Sequence, residues 1–301
     1  MKVRKAAFSL AGAMVLTAAA FVPSANAAQT GARATTEACS LGLGSVDPAG
    51  AQTGATVTAG TPPAMKGLNP VDEPVFPPGQ VRLSSSWVVE PNVAGFDRSG
   101  YVVQGDALYR YFYNRSFGDP IVSRIGGGWS NFTAFEVSSY DDSARKISHF
   151  MAYGLRSDGT LFRWNGGFKR SAQSAPGFSS VKSMALISKT ATYDTFLANT
   201  RGGALYTIRI PITSPLKPIV TRVRTSTWQG FEALVASKCG NYGTLLLGID
   251  KDTKSGYLYA VGHANGTATV INALGKVDGT FPNAPYYRWG VVPYLDPLNG
   301  D

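Results

Sequence analysis

Short apolar segments separated by polar turns dominate the chain from about residue 84 to its end. Aromatic and β-branched residues are frequent there, glycines recur at short intervals, and no amphipathic helical pattern runs for long. Short strands bounded by turn residues are typical of an all-β domain. A stretch of about 218 residues suffices for one large domain of this class with its own hydrophobic core. The pattern therefore predicts an all-β domain over residues 84–301.

One pattern recurs four times within this region. Each copy has an apolar strand, a polar turn with glycine, a Leu-aromatic pair and a further strand, as in RSDGTLFRWNG at 156–166. The pairs are Leu108-Tyr109, Leu161-Phe162, Leu205-Tyr206 and Leu258-Tyr259, at spacings of 53, 44 and 53 residues. Asp158-Gly159 is thereby predicted to be a hairpin turn rather than an acidic site, because Asp-Gly is a strong turn signal.

A second marker alternates with the first. It is an aromatic residue that stands before a predicted strand and is followed three positions later by an apolar residue. Its members are Trp129, Phe178, Trp228 and Phe281, at spacings of 49, 50 and 53, with Trp87 as a candidate for an earlier member. Two markers that keep one period and one order indicate tandem repeats.

A period near 50 residues with several strands per unit predicts a β-propeller built of four-stranded blades. A blade cannot bury both of its faces alone, so neighbouring blades stack around an axis. The last unit, from Phe281, has only about 20 residues left, so strands from the N-terminal segment are expected to complete a blade and close the ring. We predict five blades, with four as the alternative.

The two markers together resemble the repeats of the tachylectin-2-like β-propeller lectins. The resemblance covers about residues 84–290 and lies in the pattern rather than in close sequence identity. It implies a five-bladed propeller that binds amino sugars in pockets between adjacent blades. The chain departs from the family pattern at Phe178, which replaces tryptophan, and in the poor unit around Trp87.

The second marker also suggests where a sugar would bind. Carbohydrates pack their C–H faces on aromatic rings, while polar side chains satisfy their hydroxyl groups. The candidate ligand-binding residues are Trp129, Asn131, Phe178, Ser179, Trp228 and Gln229. The tryptophans are equally compatible with a role as core between blades, and Trp164, which lies in a strand, is predicted to be core.

The first 83 residues differ in character. MKVRK, an apolar run and small residues at Ala25 and Ala27 predict a signal peptide over 1–27 and a secreted, extracellular protein of bacterial type. No membrane span is expected after it. Residues 28–83 are rich in small residues, and 61–80 contain six prolines, which disfavour helix interiors and central strands. We interpret 28–83 as a leader or linker that docks partly on the propeller.

Cysteine content and charge narrow the class of protein further. Cys39 and Cys239 are predicted to form one disulfide, as an isolated pair does in an exported protein. The net charge is +9 for the whole chain and +6 without residues 1–27, and the basic residues are scattered rather than clustered. Nucleic-acid binders concentrate basic charge on one face, so no nucleic-acid partner is expected.

The sequence contains no catalytic motif, so neither an enzyme activity nor a cofactor is expected. His149 and His263 lack metal-ligand spacing, and there is no G-x-S-x-G elbow. A glycosidase would need two convergent carboxylates, and the candidates are Glu136, Asp141, Asp142 and Glu232. Asp250 and Asp252 alternate as in calcium loops, but Lys254 stands where a third ligand belongs, so a polar turn and no metal are predicted there.

The predicted function is carbohydrate binding through several inter-blade pockets, with N-acetylated sugars of a cell surface or wall as the partners. Similar weak pockets gain strength by multivalency on a repetitive surface. Two alternatives stay open. One is a non-catalytic assembly or adaptor subunit that binds a secreted protein partner, and the other, a third choice, is a glycoside hydrolase.

Overall fold

The computed structural model describes residues 39–71, 73–168, 172–292 and 296–301. The predicted signal peptide, 1–27, and residues 28–38 lie outside the described residues. Within the described ranges the regular structure is strand, apart from a short 3-10 helix at Arg115–Phe117. No helix in these ranges is long and apolar enough to cross a membrane.

The first eleven strands are β1 (Ser40–Val46), β2 (Gln52–Thr58), β3 (Ala64–Pro70), β4 (Val81–Ser84), β5 (Val88–Asn92), β6 (Gly95–Gln104), β7 (Ala107–Tyr113), β8 (Ile121–Gly126), β9 (Phe132–Asp142), β10 (Ile147–Arg156) and β11 (Leu161–Asn165). The remaining strands are β12 (Gln173–Ala175), β13 (Val181–Lys189), β14 (Tyr193–Thr200), β15 (Leu205–Pro211), β16 (Ile219–Arg224), β17 (Ala233–Cys239), β18 (Gly243–Asp250), β19 (Ser255–Val261), β20 (Ile271–Lys276) and β21 (Tyr287–Arg288).

These strands form five antiparallel blades in a ring, so the prediction of a five-bladed propeller is confirmed. Blade 1 has the order β21-β1-β2-β3, blade 2 β4-β6-β7-β8, blade 3 β9-β10-β11-β12, blade 4 β13-β14-β15-β16 and blade 5 β17-β18-β19-β20. Strand β5 of blade 2 also pairs with β6, beside β4. The innermost strands β4, β9, β13, β17 and β21 begin at one end of the axis, here called the upper end, and finish at the lower end.

Both ends of the described chain close the ring in blade 1. β21 pairs with β1 through Leu43–Arg288 and Gly44–Tyr287, so a late strand is innermost and three early strands complete the blade. The predicted disulfide is confirmed, and it links Cys39, just before β1, to Cys239 at the end of β17 in blade 5. Hydrogen bonds and one covalent bond therefore fasten the blade where the ring is closed.

Strands β1–β3 and most of β4 lie in the range that we interpreted as a leader or linker, and the boundary at residue 84 falls on the last residue of β4. Strand β21 and the residue after it pack so closely on this range that only small residues fit there. A Cβ atom at Gly42 would lie 2.0 Å from the carbonyl oxygen of Trp289, and one at Gly44 would lie 2.2 Å from the ring of Tyr287. A composition poor in large apolar groups is therefore compatible with a blade.

The two sequence markers meet through one repeated hydrogen bond. The backbone N–H of each marker aromatic donates to a turn carbonyl of the preceding hairpin. The pairs are Trp129 to Asp106, Phe178 to Gly159, Trp228 to Gly203 and Phe281 to Lys254, at 2.9–3.0 Å. Phe76 makes the corresponding bond to Gly50, which identifies it as the fifth member, whereas Trp87 follows β4 instead of preceding it. The turn at Gly159, where φ is 83°, confirms the hairpin prediction.

A second repeated device packs an aromatic ring on a strand glycine. Phe132 covers Gly154 in blade 3 and Phe231 covers Gly248 in blade 5, where an added Cβ would lie 2.7–2.8 Å from ring carbons. Blade 4 holds the smaller Val181 at the ring position and the larger Ala198 at the glycine position. The smaller side chain at the ring position leaves room for the Cβ atom at the glycine position, as a close-packed core requires.

Candidate functional site

The aromatic members of the predicted ligand set are buried. Trp129 and Trp228 are each 5% exposed, and Phe178 is 8% exposed. Trp129 packs against Phe132 and Trp164, with ring centroids 4.5 and 5.1 Å apart. A sugar that stacked on these rings would need an open ring face, and the described conformation offers none.

The polar members of the set, Asn131, Ser179 and Gln229, are exposed at the upper end of the propeller. They do not converge with the rings, because each aromatic side chain lies between blades while its polar neighbour faces solvent. The loop of Trp129 is held by Arg82, whose guanidinium donates to the Trp129 carbonyl oxygen at 3.1 Å. No observation tests the ligand role of the six residues, which stays a prediction.

A chain of aromatic rings leads from this marker to a cavity at the lower end of the same blade interface. Trp129 contacts Phe135 at 5.4 Å, and Phe135 contacts Tyr101 at 6.4 Å, measured between ring centroids. Tyr101 contacts Phe150 across the interface of blades 2 and 3 at 5.9 Å. The rings at the upper end belong to the hydrophobic core between the blades, and those at the lower end form one wall of the cavity.

The cavity has a volume of about 330 Å³, opens at the lower end of the axis and extends between blades 2 and 3. This volume lies at the lower limit of the range for small-molecule sites, about 300–1,000 Å³. Apolar rings and polar groups both face it. Its lining comprises Ser86, Val88, Ser99, Gly100, Tyr101, Arg110, Val137, Ser139, Phe150, Leu186, Lys189, Arg288, Val291 and Asp296.

An ion-paired cluster from three parts of the chain forms one wall of the cavity. Lys189 Nζ lies 3.0 Å from one carboxylate oxygen of Asp296, and Arg288 donates to the other. Burial favours the neutral acid, but Arg288 and Lys189 together hold the pKa of Asp296 below its ordinary value. Asp296 is therefore ionised, and a carboxylate with two cations lines the cavity.

Tyr101 adds a hydroxyl group beside the ring of Phe150. Burial raises the pKa of Tyr101, and the nearby Arg110 only partly offsets this effect. The phenol therefore stays protonated at neutral pH, where it donates as well as accepts hydrogen bonds. The hydroxyl groups of Ser99 and Ser139 line the same space.

Two of the four candidate glycosidase carboxylates, Glu136 and Glu232, line one small cavity at the upper end of the axis. Burial raises the pKa of Glu136 to about 7, although Ser85 donates a hydrogen bond to its carboxylate at 2.9 Å. Glu232 forms an ion pair with Lys182. This cavity has a volume of about 80 Å³, which is well below the usual range for ligand sites.

Of the other acidic candidates, Asp141 lies on strand β9 opposite Ser148, and Asp250 and Asp142 accept hydrogen bonds within turns. Asp250 Oδ1 accepts hydrogen bonds from the backbone N–H groups of Asp252 and Thr253, both at 3.0 Å. Asp142 Oδ1 accepts one from the N–H of Arg145, also at 3.0 Å. Across the ranges that the structure describes, no three His, Cys, Asp or Glu side chains come together as metal ligands.

His149 lines an open groove with Tyr140 and Asp141. Its ring stacks on Tyr140, with centroids 5.3 Å apart, and burial lowers its pKa. Neither ring nitrogen has a hydrogen-bond partner in the described residues. The neutral imidazole thus serves as a flat packing surface at this position.

The comparisons with known proteins return folds rather than a family. No protein-family model matches the chain, and no curated protein matches it in sequence. Among solved structures, the catalytic domain of a GH62 α-L-arabinofuranosidase from Coprinopsis cinerea is 12% identical with a TM-score of 0.44, over 84% of this chain and 80% of that one. The SapL1 lectin in complex with α-methyl fucoside is 7% identical with a TM-score of 0.40, over 82% and 99%. The WD40 domain of SCAP from fission yeast is 10% identical with a TM-score of 0.29, over 83% and 74%. The function of the cavity therefore has to be inferred from its own geometry.

The residues of the cavity between blades 2 and 3 were not predicted from the sequence, because they do not belong to either marker. Tyr101 and Arg110 lie in the first repeat copy, and Phe150 lies in a strand with no distinctive motif. The available signal was the difference between copies. Phe150 occupies the position that Asp194 has in the next blade, so an aromatic residue in one copy replaces a carboxylate in the other.

Proposed function

We propose that this protein is a secreted, non-catalytic carbohydrate-binding propeller that holds a sugar in the cavity between blades 2 and 3. One observation carries the proposal. The cavity combines a wall of two aromatic rings, Tyr101 and Phe150, with hydroxyl groups and a guanidinium. Concave sites of this mixed apolar and polar lining are the usual form of small-molecule sites.

Each part of the wall matches one part of a sugar. The C–H face of a pyranose ring packs on the rings of Phe150 and Tyr101. Ring hydroxyl groups exchange hydrogen bonds with Ser99, Ser139 and the phenol of Tyr101. The Cys39–Cys239 disulfide supports the extracellular location, because disulfides persist in oxidising compartments.

This proposal places the sugar at the opposite end of the propeller from the six marker residues. Binding at the marker positions, several per chain, remains a separate prediction. Variants distinguish the two sites. A change at Phe150 should not affect a sugar bound at Trp228, because the two residues lie in different blade interfaces, whereas Trp129 lies in the same interface as Phe150 and cannot serve for this comparison.

The test is binding of the purified protein to a glycan array, followed by calorimetric titration of the glycans that bind. Phe150→Ala removes one stacking surface, and we expect at least a tenfold loss of affinity, about 1.4 kcal/mol. Phe117→Ala is the matched control, since Phe117 is 66% exposed and does not line the cavity. Binding that is absent from the unmodified protein, or that survives Phe150→Ala, would contradict the proposal.

A further inference from the structure

The same tyrosine–arginine pair occurs in two adjacent blades. Tyr101 on β6 lies opposite Arg110 on β7 in blade 2, and Tyr153 on β10 lies opposite Arg163 on β11 in blade 3. Residues directly opposite on antiparallel strands share one face of the sheet. In both blades that face is turned toward the next blade, so the two interfaces can be compared residue by residue.

Between blades 3 and 4 the pair is satisfied by protein groups. The phenol of Tyr153 donates to Asp194 Oδ2 at 2.7 Å, and Arg163 donates to the carbonyl oxygen of Thr213 at 2.9 Å. Tyr153 is 0% exposed and Arg163 is 3% exposed. Burial raises the pKa of Asp194, while Arg163 is among the groups that lower it. A carboxyl group of blade 4 thus fills the space beside this pair.

Between blades 2 and 3 that carboxyl group is missing. In blade 4, Asp194 stands four residues before Ala198, and in blade 3 Phe150 stands four residues before the equivalent Gly154. Phenylalanine therefore replaces aspartate beside the Tyr101–Arg110 pair. Within the described part of the chain, Arg110 is exposed and its guanidinium forms no hydrogen bond or ion pair.

The charges that line the cavity are also unbalanced. Arg110, Lys189 and Arg288 are cations, and Asp296 is the one anion among the residues that line it. Asp296 accepts one contact from Lys189 and one from Arg288. An ammonium has three donors and a guanidinium has five, so donors on both remain available to a second anion.

Resting on the proposed function, we infer that the sugar bound between blades 2 and 3 carries a carboxylate, as a hexuronic acid does, and that its carboxylate binds Arg110. At the next interface the tyrosine donates to Asp194 and the arginine donates to a backbone carbonyl oxygen, whereas Arg110 has no protein acceptor, so the ligand supplies one. A guanidinium holds a carboxylate through two parallel hydrogen bonds, a geometry that lysine cannot reproduce. Phe150, in the place of the aspartate, provides the surface for the sugar ring.

The experiment compares matched acidic and neutral sugars by calorimetric titration. The probes are methyl glucuronoside with methyl glucoside and methyl galacturonoside with methyl galactoside, each at low and high salt. At low salt we expect the acidic member of at least one pair to bind about tenfold more tightly, because charge-assisted hydrogen bonds contribute about 1.5–3 kcal/mol. The preference should shrink at high salt, since exposed charges are screened.

Variants assign the preference to one side chain. Arg110→Gln should abolish the preference for the acidic sugar, so that the acidic and neutral members of a pair bind with similar affinity, and Arg110→Lys should restore only part of the preference. Arg124→Gln is the matched control, because Arg124 is also exposed, lies on the neighbouring strand β8 and does not line the cavity. Circular dichroism and a urea titration of each variant verify that it folds.

The outcomes separate the two proposals. Equal affinity for acidic and neutral sugars, or a preference that Arg110→Gln leaves intact, overturns the inference and leaves carbohydrate binding standing. If neither member of any pair binds and the glycan array is also blank, the proposed function fails, and the inference fails with it.

Discussion

Gly154→Ala adds one methyl group at a position where the structure has no room for it. The new Cβ would lie 2.7 Å from two ring carbons of Phe132 and 3.2 Å from Trp164. Phe132 is 7% exposed and in ring contact with Trp129 and Trp164, so it cannot move aside without displacing the interface of blades 2 and 3. Overpacking of this kind costs about 1–3 kcal/mol. We expect the free energy of unfolding to fall by about 2 kcal/mol.

The reciprocal change should rescue the variant. Phe132→Val alone removes most of the ring and leaves a cavity, which we expect to cost about 2–3 kcal/mol. The double variant reproduces the Ala198–Val181 pair that blade 4 already uses. We therefore expect it to lose about 2 kcal/mol in total instead of the additive sum of about 4–5, a coupling of at least 2 kcal/mol.

Urea titrations of the four proteins, followed by tryptophan fluorescence and far-UV circular dichroism, measure these differences. Gly126→Ala on the edge strand β8 is the control, because a Cβ there would have no atom within 4 Å, and we expect a change below about 0.5 kcal/mol. The packing argument is refuted if Gly154→Ala is as mild as this control, or if the two single changes add in the double variant.

Two further predictions concern ring closure and pH. Replacing Cys39 and Cys239 with serine opens a loop of 200 residues. In the chain-entropy model, closing such a loop stabilises the folded state by up to about 5 kcal/mol, so the urea midpoint of the variant should fall. An unchanged midpoint would contradict the role assigned to the disulfide. Burial raises the pKa of the fully buried Asp194 to about 6 from an ordinary 3.8. The folded state therefore holds this proton more tightly than the unfolded state, and stability falls as pH rises from about 4 to about 6, by up to about 3 kcal/mol. Asp194→Asn should weaken this dependence, which unfolding titrations at pH 4 and pH 8 would detect; parallel curves for variant and parent would rule it out.

The repeat pattern was sufficient to predict blades 2 to 5 because each marker follows from a local requirement. The glycine turn needs a residue that tolerates positive φ, as at Gly159, and the following marker aromatic must place its N–H on that turn. Phe76 was missed as a member of this series, since prolines stand on both sides of it. Trp87 was proposed in its place, and it lies after β4 because it packs against Gly100 instead.

The candidate site was harder to predict, because an aromatic residue before a strand has the same sequence appearance in a core and in an open pocket. The burial of such a residue depends on its neighbours from other blades, which the sequence does not show. At 5% exposure Trp129 lies in the core, while Tyr101 and Phe150, which carry no marker, line the cavity with Lys189 and Asp296. These residues come from four separate stretches of the chain.

The sequence by itself determined the strand content, the period near 50 residues, the propeller class and the pairing of its two cysteines. Each of these depends on short-range periodicity or on a count, which a linear chain displays directly. Only the tertiary structure decided that residues 40–70 and 287–288 share a blade, and that one blade interface keeps an open cavity where the next is filled by Asp194. The physical reason is that a propeller core forms between blades, so the identity of a residue becomes meaningful only once the blade facing it is known.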